Sequence, residues 1–294
     1  MEKQFNLFGL SIVGTLKRNV LLVRKTQVSD DGRKYCLKLN AAEQEVELFK
    51  DCFPKIDQSK FKKLQLPIAH KIGSLFENQR WWVLTDYYGE SMDWDETNPK
   101  SVGGRNISLD YVDILAQILA DLKSIDIGLF SQILPLVESA SWYTSINQKL
   151  TDLINNRLFP SSYHKKAITM LSSGLTNESK EDFILTNGDF QFRNFIKLSN
   201  NKIVVIDWTE NPFNTPNIEP IEFAAMYQWT LMWANLSWQD AYVKEISKKF
   251  NISKDRLRFA LLVKSINQAH MWRGVQELSR LQVNNSIRAL DGLI

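Results

Sequence analysis

The chain has 294 residues, of which 44% are hydrophobic and 23% are charged. This is the composition of an ordinary globular protein, and it excludes an intrinsically disordered chain. The 36 basic and 33 acidic residues leave a formal charge of only +3. Because nucleic-acid-binding proteins carry a clustered basic face, this balance argues against a nucleic-acid partner.

The cysteine content and the terminal sequence indicate a cellular compartment. Cys36 and Cys52 are too few for a disulfide framework in a chain of this length, so a reducing, cytoplasmic location is expected. The first residues lack the basic and then apolar pattern of a signal peptide. The most apolar stretch, 221–238, is interrupted by Glu222 and Gln228 and is predicted to be a core helix. No membrane association is therefore expected.

The first third of the chain has the pattern of strands. Residues 19–28 and 33–39 are predicted strands on either side of a turn signal at 29–32. Since successive side chains of a strand point to opposite faces, Cys36 and Lys38 are expected to share one face of the second strand.

The elements that follow change from strands to helices along the chain. They are predicted, in order, as a helix at 41–53, a hairpin of strands at 68–76 and 81–85 around 77–79, helices at 109–125, 141–154 and 161–172, strands at 195–198 and 203–206, and helices at 219–234, 238–250 and 254–281. This order predicts an α+β protein with a β-rich lobe over residues 1–87 and a mainly helical lobe over residues 88–294.

Three polar residues around the predicted strands at 195–206 have a spacing that suits phosphoryl transfer. Asp189 is followed five positions later by Asn194, and Asp207 follows thirteen positions after that. In such chemistry one Asp orients the hydroxyl that is attacked, while an Asn and a second Asp hold metal ions on the phosphates. A hairpin starts and ends at the same edge of a sheet, so Asn194 and Asp207 are expected to converge. Their oxygen atoms are suitable ligands for Mg²⁺.

The same segment carries a family resemblance. Residues 187–194, followed by Ile206, Asp207 and Trp208, resemble the HGD-x-x-x-x-N … IDW pattern of the aminoglycoside phosphotransferase and choline kinase-like family. Residues 118–126 are similar to its L-A-x-L-H-x-I-D helix, and residues 83–90 to its strand and hinge. The resemblance implies a bilobal protein kinase-like fold and a small-molecule kinase. Such an enzyme moves the γ-phosphate of ATP or GTP to a hydroxyl group.

The resemblance also implies roles for individual residues. Asp189 would be the catalytic residue, and Asn194 and Asp207 would hold Mg²⁺. Lys38 would contact the α- and β-phosphates, as does the lysine of the V-A-I-K strand in kinases. Cys36 would cover the adenine.

The remaining predicted contacts to the nucleotide lie in the small lobe and the hinge. Asp86 and Tyr88 lie in the hinge that would carry the adenine, and Gly14 lies in the segment 14–19, which is predicted to be the turn over the phosphates. Lys38 needs a glutamate partner from the helix that follows it. The family's E-V-E-x-L run favours Glu45. Helical spacing alone leaves a second choice open, because the glutamates at 43 and 47 lie one turn apart and could share the other face.

Some departures and alternatives stay open. Asn187 stands where the family usually has His, and its effect on activity is not determined by the sequence. A nucleotide-binding pseudokinase that serves as a regulatory or scaffold module would share every motif. A protein kinase is not expected, because residues 208–220 are too short for an activation segment. From residue 210 onward 10 basic residues face 8 acidic ones, which argues mildly against a polycationic acceptor, whereas the Trp-rich region could hold a choline-like one.

Overall fold

The computed structural model describes residues 10–17, 20–25, 33–75, 80–92, 110–126, 139–175, 183–185, 187, 194–208, 218–220, 244–249 and 251–293. A mixed α+β architecture results, in which the N-terminal part forms an antiparallel sheet and the C-terminal part is mainly helical. Among the described helices, none is long and apolar enough to cross a membrane.

The N-terminal sheet has five antiparallel strands, with the bounds Leu10–Lys17 (β1), Val20–Lys25 (β2), Lys34–Ala41 (β3), Ala69–Leu75 (β5) and Arg80–Asp86 (β6). Their order across the sheet is β1-β2-β3-β6-β5. In β3, the alternation of side chains buries Tyr35 and Leu37 and leaves Cys36 and Lys38 partly exposed on the opposite face.

A run of short helical turns follows β3. It consists of helix α1 (Glu43–Glu47), a π-helical turn (Leu48–Cys52) and a 3₁₀ turn (Phe53–Lys55). A further 3₁₀ turn at Gln58–Lys60 leads to the short strand β4 (Leu64–Gln65). The run has one buried face, which includes Leu48, Phe49 and Phe53.

Five helices make up most of the C-terminal part that is described. Their bounds are Asp110–Lys123 (α2), Ser139–Asn155 (α3), His164–Leu175 (α4), Lys254–Met271 (α5) and Gln276–Asp291 (α6). Residues 244–249 are also helical. Helix α5 is buried on nearly all sides, whereas α2, α3 and α4 bury one apolar face each.

Two small sheets carry the segments around residue 200. Strand β8 (Phe195–Lys197) pairs antiparallel with β9 (Ile203–Val205), and β9 pairs in parallel with β4. Strand β7 (Phe183–Leu185) pairs with β10 (Ile218–Pro220). All three residues of β9 are buried, so this strand lies in the core.

The predicted elements differ from the structure at several places. The helix expected over 41–53 is the short helix α1 followed by a π-helical and a 3₁₀ turn, and the strands β1, β4 and β7 were not predicted. The single helix expected over 254–281 is two helices, because the chain reverses between Met271 and Gln276, where Gly274 lowers the helix propensity. Residue 219, the expected start of a helix, is in β10, where it pairs with β7. The segment 14–17, expected as part of a turn, belongs to β1. The predicted turns at 29–32 and 77–79 and most of the helices at 219–234 and 238–250 lie outside the described residues.

Candidate active site

Asn194 and Asp207 lie at the same end of the β8–β9 hairpin. The strands pair with Phe195 opposite Val205. One position further out, the backbone N–H of Ile206 donates to the carbonyl oxygen of Asn194, with N and O 2.9 Å apart. Because the hairpin returns the chain to its starting edge, the amide of Asn194 and the carboxylate of Asp207 begin from adjacent backbone positions.

Lys38 contacts two carboxylates. Its Nζ atom lies 3.0 Å from Oε1 and 2.9 Å from Oε2 of Glu45, and 3.6 Å from Oδ1 of Asp207. The side chains of Glu45 and Asp207 are only 4% and 8% exposed. Buried carboxylates require a nearby cation or hydrogen-bond donors, and Lys38 supplies both to this cluster.

The end of β3 sets which glutamate faces Lys38. Asn40 has a left-handed backbone (φ 56°), and the register with β6 shifts between Leu39 and Ala41. Helix α1 begins two residues later. With the helix beginning at this residue, Glu45 is buried, whereas Glu43 is exposed and Glu47 is half-buried.

Asp207 is held in a backbone conformation that is uncommon for residues other than glycine. Its backbone is left-handed, with φ 56°, which costs energy for a residue with a side chain and therefore needs support from its surroundings. The next residue supplies support, because Trp208 is fully buried and its indole N–H donates to the carbonyl of Val205 at 2.7 Å. The Trp208 ring also packs edge-on against Phe53, with centroids 5.0 Å apart.

A side-chain hydrogen bond of Asn187 joins the segment that precedes Asp189 to the segment that precedes Asp207. Its side chain is fully buried, and Nδ2 donates to the carbonyl oxygen of Ile206 at 2.7 Å. Asp189 itself lies outside the described residues. In the sequence, Asn187 stands out only as a departure from a family pattern, and this bond is not apparent. No local signal could have found it, because its acceptor is a backbone atom 19 residues away.

The hinge residues are fixed by side-chain contacts. Asp86 accepts a hydrogen bond from His70, with Oδ1 and Nε2 2.7 Å apart, and the hydroxyl of Tyr88 accepts from the N–H of Ile68 at 2.9 Å. Burial raises the pKa of Tyr88 to about 12. The sequence indicated Asp86 and Tyr88 as hinge residues, but it did not indicate that His70 is the partner of Asp86.

Cys36 lies beside the same hinge. The pKa values of Tyr87 and Tyr88 are raised mainly by burial, and a smaller contribution comes from the nearby Cys36 thiol. The backbone N–H of Tyr87 also donates to the carbonyl of Lys34 at 3.2 Å, so β3 and the hinge are joined directly. Cys36 is half-buried, and it lies on β3 between Lys34, which bonds to the hinge, and Lys38.

The hinge segment continues onto the β8–β9 hairpin. Gly89 has φ 112°, a conformation open to glycine and strained for other residues. After this turn the N–H of Met92 donates to the carbonyl of Phe195 at 2.7 Å. The chain therefore leaves the five-stranded sheet and attaches at once to β8, next to Asn194.

Gly14 lies within β1 opposite Leu22, between two irregularities of the β1–β2 register, at Ile12/Gly14 and Thr15/Lys17. Such irregularities interrupt a ladder locally and bend the strand. Leu22 in turn pairs with Cys36, so Gly14 lies in the same sheet as Lys38, with strand β2 between them.

The donor set around Asp207 suits a hard divalent cation. Asn194 and Asp207 offer amide and carboxylate oxygens, and Mg²⁺ commonly takes only one or two protein ligands when phosphate groups and water complete its shell. Within the ranges that the structure describes, no three His, Cys, Asp or Glu residues form a metal-binding group. Asn194 and Asp207 therefore fit a cation whose remaining ligands are phosphate groups and water.

Comparisons with known proteins agree on the fold. No protein-family model matches the sequence, and the comparison with curated proteins gives no match. Among solved structures, the GDP complex of aminoglycoside 2'-phosphotransferase-IIIa is 12% identical, with a TM-score of 0.63, and the match covers 99% of this chain and 96% of that one.

Two further solved structures extend the comparison. A thermostable mutant of the aminoglycoside phosphotransferase APH(4)-Ia, in a ternary complex with AMP-PNP and hygromycin B, is 14% identical with a TM-score of 0.60. That match covers 96% of this chain and 93% of the other. A Haemophilus somnus protein assigned as a fructosamine-3-kinase is 11% identical with a TM-score of 0.52, over 95% and 90% of the two chains. The chain therefore has the kinase-like α+β fold of the aminoglycoside phosphotransferases, as the resemblance in its sequence indicated.

Proposed function

We propose that this protein is a phosphotransferase that moves the γ-phosphate of ATP or GTP to a hydroxyl group of a small molecule, with Mg²⁺. The observation that supports this most directly is the contact of Lys38 with both Glu45 and Asp207. A lysine paired with a buried glutamate and facing a carboxylate at the end of a hairpin is the arrangement that kinases use to hold the phosphates of a nucleotide. The similar solved structures include complexes with GDP and with AMP-PNP.

In this proposal the nucleotide binds between a lobe of residues 1–87 and a lobe of residues 88–294. The adenine or guanine base lies against Cys36 and the backbone of the hinge at Asp86 to Tyr88. Lys38 contacts the phosphates, while Gly14 lies in the strand region that covers them. These residues come from neighbouring strands of one sheet and from the hinge that follows it.

The acceptor hydroxyl is positioned by a residue of the second lobe, residues 88–294. Asp189 orients the hydroxyl in line with the γ-phosphate and accepts its proton, and Asn194 and Asp207 hold Mg²⁺, which neutralises charge on the phosphates. Because the transition state of phosphoryl transfer is loose, positioning and charge neutralisation supply most of the rate enhancement. Asp189 therefore need not be a strong base.

The chemistry of the acceptor is a small hydroxyl compound in this proposal. Similar solved structures include complexes with hygromycin B, kanamycin and gentamicin. The mild basic excess after residue 210 argues against a polycationic acceptor here. A sugar or an amino alcohol agrees better with this charge balance.

The test begins with thermal unfolding in the presence of Mg²⁺ and either ATP or GTP. A nucleotide at about 100 times its Kd stabilises the folded state by about 2.7 kcal/mol, which raises the Tm by a few degrees in a chain of this size. A shift identifies the donor, and a panel of sugars and amino alcohols is then screened for nucleoside diphosphate release.

Asp189→Asn is the decisive variant in that screen. Turnover should fall strongly while the Tm shift persists, because the substitution removes the proton acceptor and leaves the proposed contacts to the nucleotide in place. Near-wild-type turnover of Asp189→Asn would contradict the assignment. A nucleotide-dependent Tm shift without turnover on any acceptor would favour the pseudokinase alternative.

A further inference from the structure

One carboxylate in helix α2 accepts three successive backbone N–H groups from a distant segment. Oδ1 of Asp121 accepts from Lys62 at 3.0 Å, and Oδ2 accepts from Lys63 at 2.6 Å and from Leu64 at 2.7 Å. Asp121 is 6% exposed. Hydrogen bonds to an ionised acceptor are among the stronger ones in proteins, so this carboxylate fixes the segment 62–64 against α2.

The same segment is bonded to strand β9 on its other side. The carbonyl of Lys63 accepts from the N–H of Ile203 at 2.7 Å, and the carbonyl of Phe61 accepts from Nζ of Lys202 at 3.2 Å. Leu64 pairs with Ile203 in the parallel ladder of β4 and β9. The segment is therefore held between α2 and the strand that leads directly to Asp207.

The segment also continues the run of turns that begins with Glu45. Between Glu45 and Lys62 the chain is a series of short helical turns with a buried face. Phe53, in the middle of this run, packs on Trp208, the neighbour of Asp207. Displacement of residues 62–64 would therefore act on Glu45 through the run of turns and on Asp207 through β9.

We propose that Asp121 is a positioning residue that sets the distance between the Lys38–Glu45 pair and Asp207, and thereby the fit of a metal-bound nucleotide. This inference rests on the proposed function. Lys38 lies 3.6 Å from Asp207, so small shifts of either side change the space in which phosphates and a cation are held together. Asp121 has this effect without touching the nucleotide.

The experiment compares nucleotide affinity with and without metal. The Kd of the nucleotide is measured by calorimetry in excess Mg²⁺ and in EDTA, at a temperature at which every variant is fully folded. The ratio of the Kd in EDTA to the Kd in Mg²⁺ measures how much the metal strengthens nucleotide binding. It therefore reports how well Lys38 and Asp207 act together on one metal-bound nucleotide. In Asp121→Asn an amide NH₂ replaces one acceptor and faces N–H donors, which should displace the segment 62–64. We expect this ratio to fall by about tenfold, because small displacements of groups that act together on a ligand weaken their combined effect.

Two matched variants separate positioning from stability. Asp113→Asn makes the same substitution in the same helix at an exposed residue, which pairs with Lys249, and should leave the ratio unchanged. Leu153→Ala removes a buried side chain from α3, and it should lower the Tm without changing the ratio. Should Asp121→Asn not fold, Asp121→Glu retains the charge but displaces the carboxylate, and a severalfold lower ratio is expected.

The outcomes distinguish the two proposals. If the Asp121 variant that folds lowers the Tm but keeps the wild-type ratio, as Leu153→Ala should, then Asp121 only stabilises the fold and the inference is wrong. If the wild-type protein binds neither ATP nor GTP, the proposed function is wrong, and the inference fails with it.

Discussion

Nζ of Lys38 lies 3.6 Å from Oδ1 of Asp207 and within hydrogen-bonding distance of Glu45. Counted among these three groups alone, two carboxylates share one ammonium. Such a cluster attracts an additional cation, and the partly exposed Lys38 can at the same time contact an anion from the open side. A phosphate group with a bound divalent cation matches both requirements.

The first prediction concerns Lys38. In Lys38→Met the buried carboxylate of Glu45 loses a cation that contacts it, which should lower the free energy of unfolding by an amount on the order of 3 kcal/mol. The nucleotide-dependent rise in Tm should be lost as well, because the phosphate contact is removed. Both quantities are measured by thermal unfolding with and without Mg²⁺ and nucleotide.

Lys34→Met is the matched control. Lys34 is an exposed lysine on the same strand, four residues earlier, and the alternation of side chains puts it on the same face. Its removal should change neither stability nor the nucleotide shift. A nucleotide shift of wild-type size in Lys38→Met would show that Lys38 does not contact the phosphates.

The second prediction concerns Asn187. Asn187→Ala removes the donor to the Ile206 carbonyl, and the loss of a buried hydrogen bond costs about 1–3 kcal/mol. Because this bond joins the segment before Asp189 to the segment before Asp207, we expect turnover to fall by at least about tenfold. Denaturant unfolding and turnover on the acceptor found in the screen measure the two effects.

Asn156→Ala controls for the loss of the bond itself. Nδ2 of Asn156 donates to the carbonyl of Asp152 at the same distance of 2.7 Å, but at an exposed site at the end of α3. This variant should lose little stability and no turnover. Equal losses in the two variants would contradict a positioning role for Asn187.

The parts of the site that could be predicted from sequence are those set by local geometry. A hairpin starts and ends at the same edge of a sheet. The spacing from Asn194 to Asp207 was therefore sufficient to predict that the two residues lie at one end of β8 and β9. Likewise, period-two alternation in β3 was sufficient to place Cys36 and Lys38 on one face. In both cases the prediction needs no knowledge of the rest of the fold.

Other features depended on contacts that are distant in sequence. Helical spacing alone left open which glutamate faces Lys38, and only the family resemblance favoured Glu45, because the start of α1 follows the shift in register of β3 against β6 beside Asn40. Asp121 had the pattern of a polar residue on an amphipathic helix, and its partners lie 57–59 residues away. The break between α5 and α6 was missed because apolar residues continue at helical spacing across it.

The third prediction uses the two cysteines as reporters. Cys36 is half-buried, whereas Cys52 is 1% exposed, and burial raises the pKa of its thiol. Since the thiolate is the reactive form, a maleimide should modify Cys36 well before Cys52. Mg²⁺ with ATP or GTP should slow the modification of Cys36 if the base lies against it, and mass spectrometry measures both rates.

Cys36→Ser supplies the background rate of Cys52. Nucleotide should leave this slow reaction unchanged, apart from the general effect of stabilisation. A modification rate of Cys36 that is the same with and without nucleotide, under conditions that raise the Tm, would place the base elsewhere.

The last prediction concerns the pH dependence of stability and His270. The pKa of His270 is lowered, first by its burial, with the charges of Arg273 and Lys149 acting in the same direction. A hydrogen bond between its Nε2 and Oδ2 of Asp152, 3.2 Å apart, opposes this shift. The unfolded chain therefore binds a proton on His270 at a higher pH than the folded protein does.

The sign of the effect follows from this difference. The contribution of neutral His270 is fully present above the unfolded pKa of about 6.5 and is lost as the pH falls through and below that value. Asp152, whose pKa is lowered by its hydrogen bonds to Gln148 and His270, stays ionised in this range. Denaturant unfolding of the wild-type protein from about pH 7.5 to about pH 5.5 should therefore show a loss of stability that His270→Gln reduces. His164→Gln, at an exposed position at the start of α4, should retain the wild-type slope. If His270→Gln and the wild type lost stability in parallel as the pH fell, protonation of His270 would not be coupled to folding.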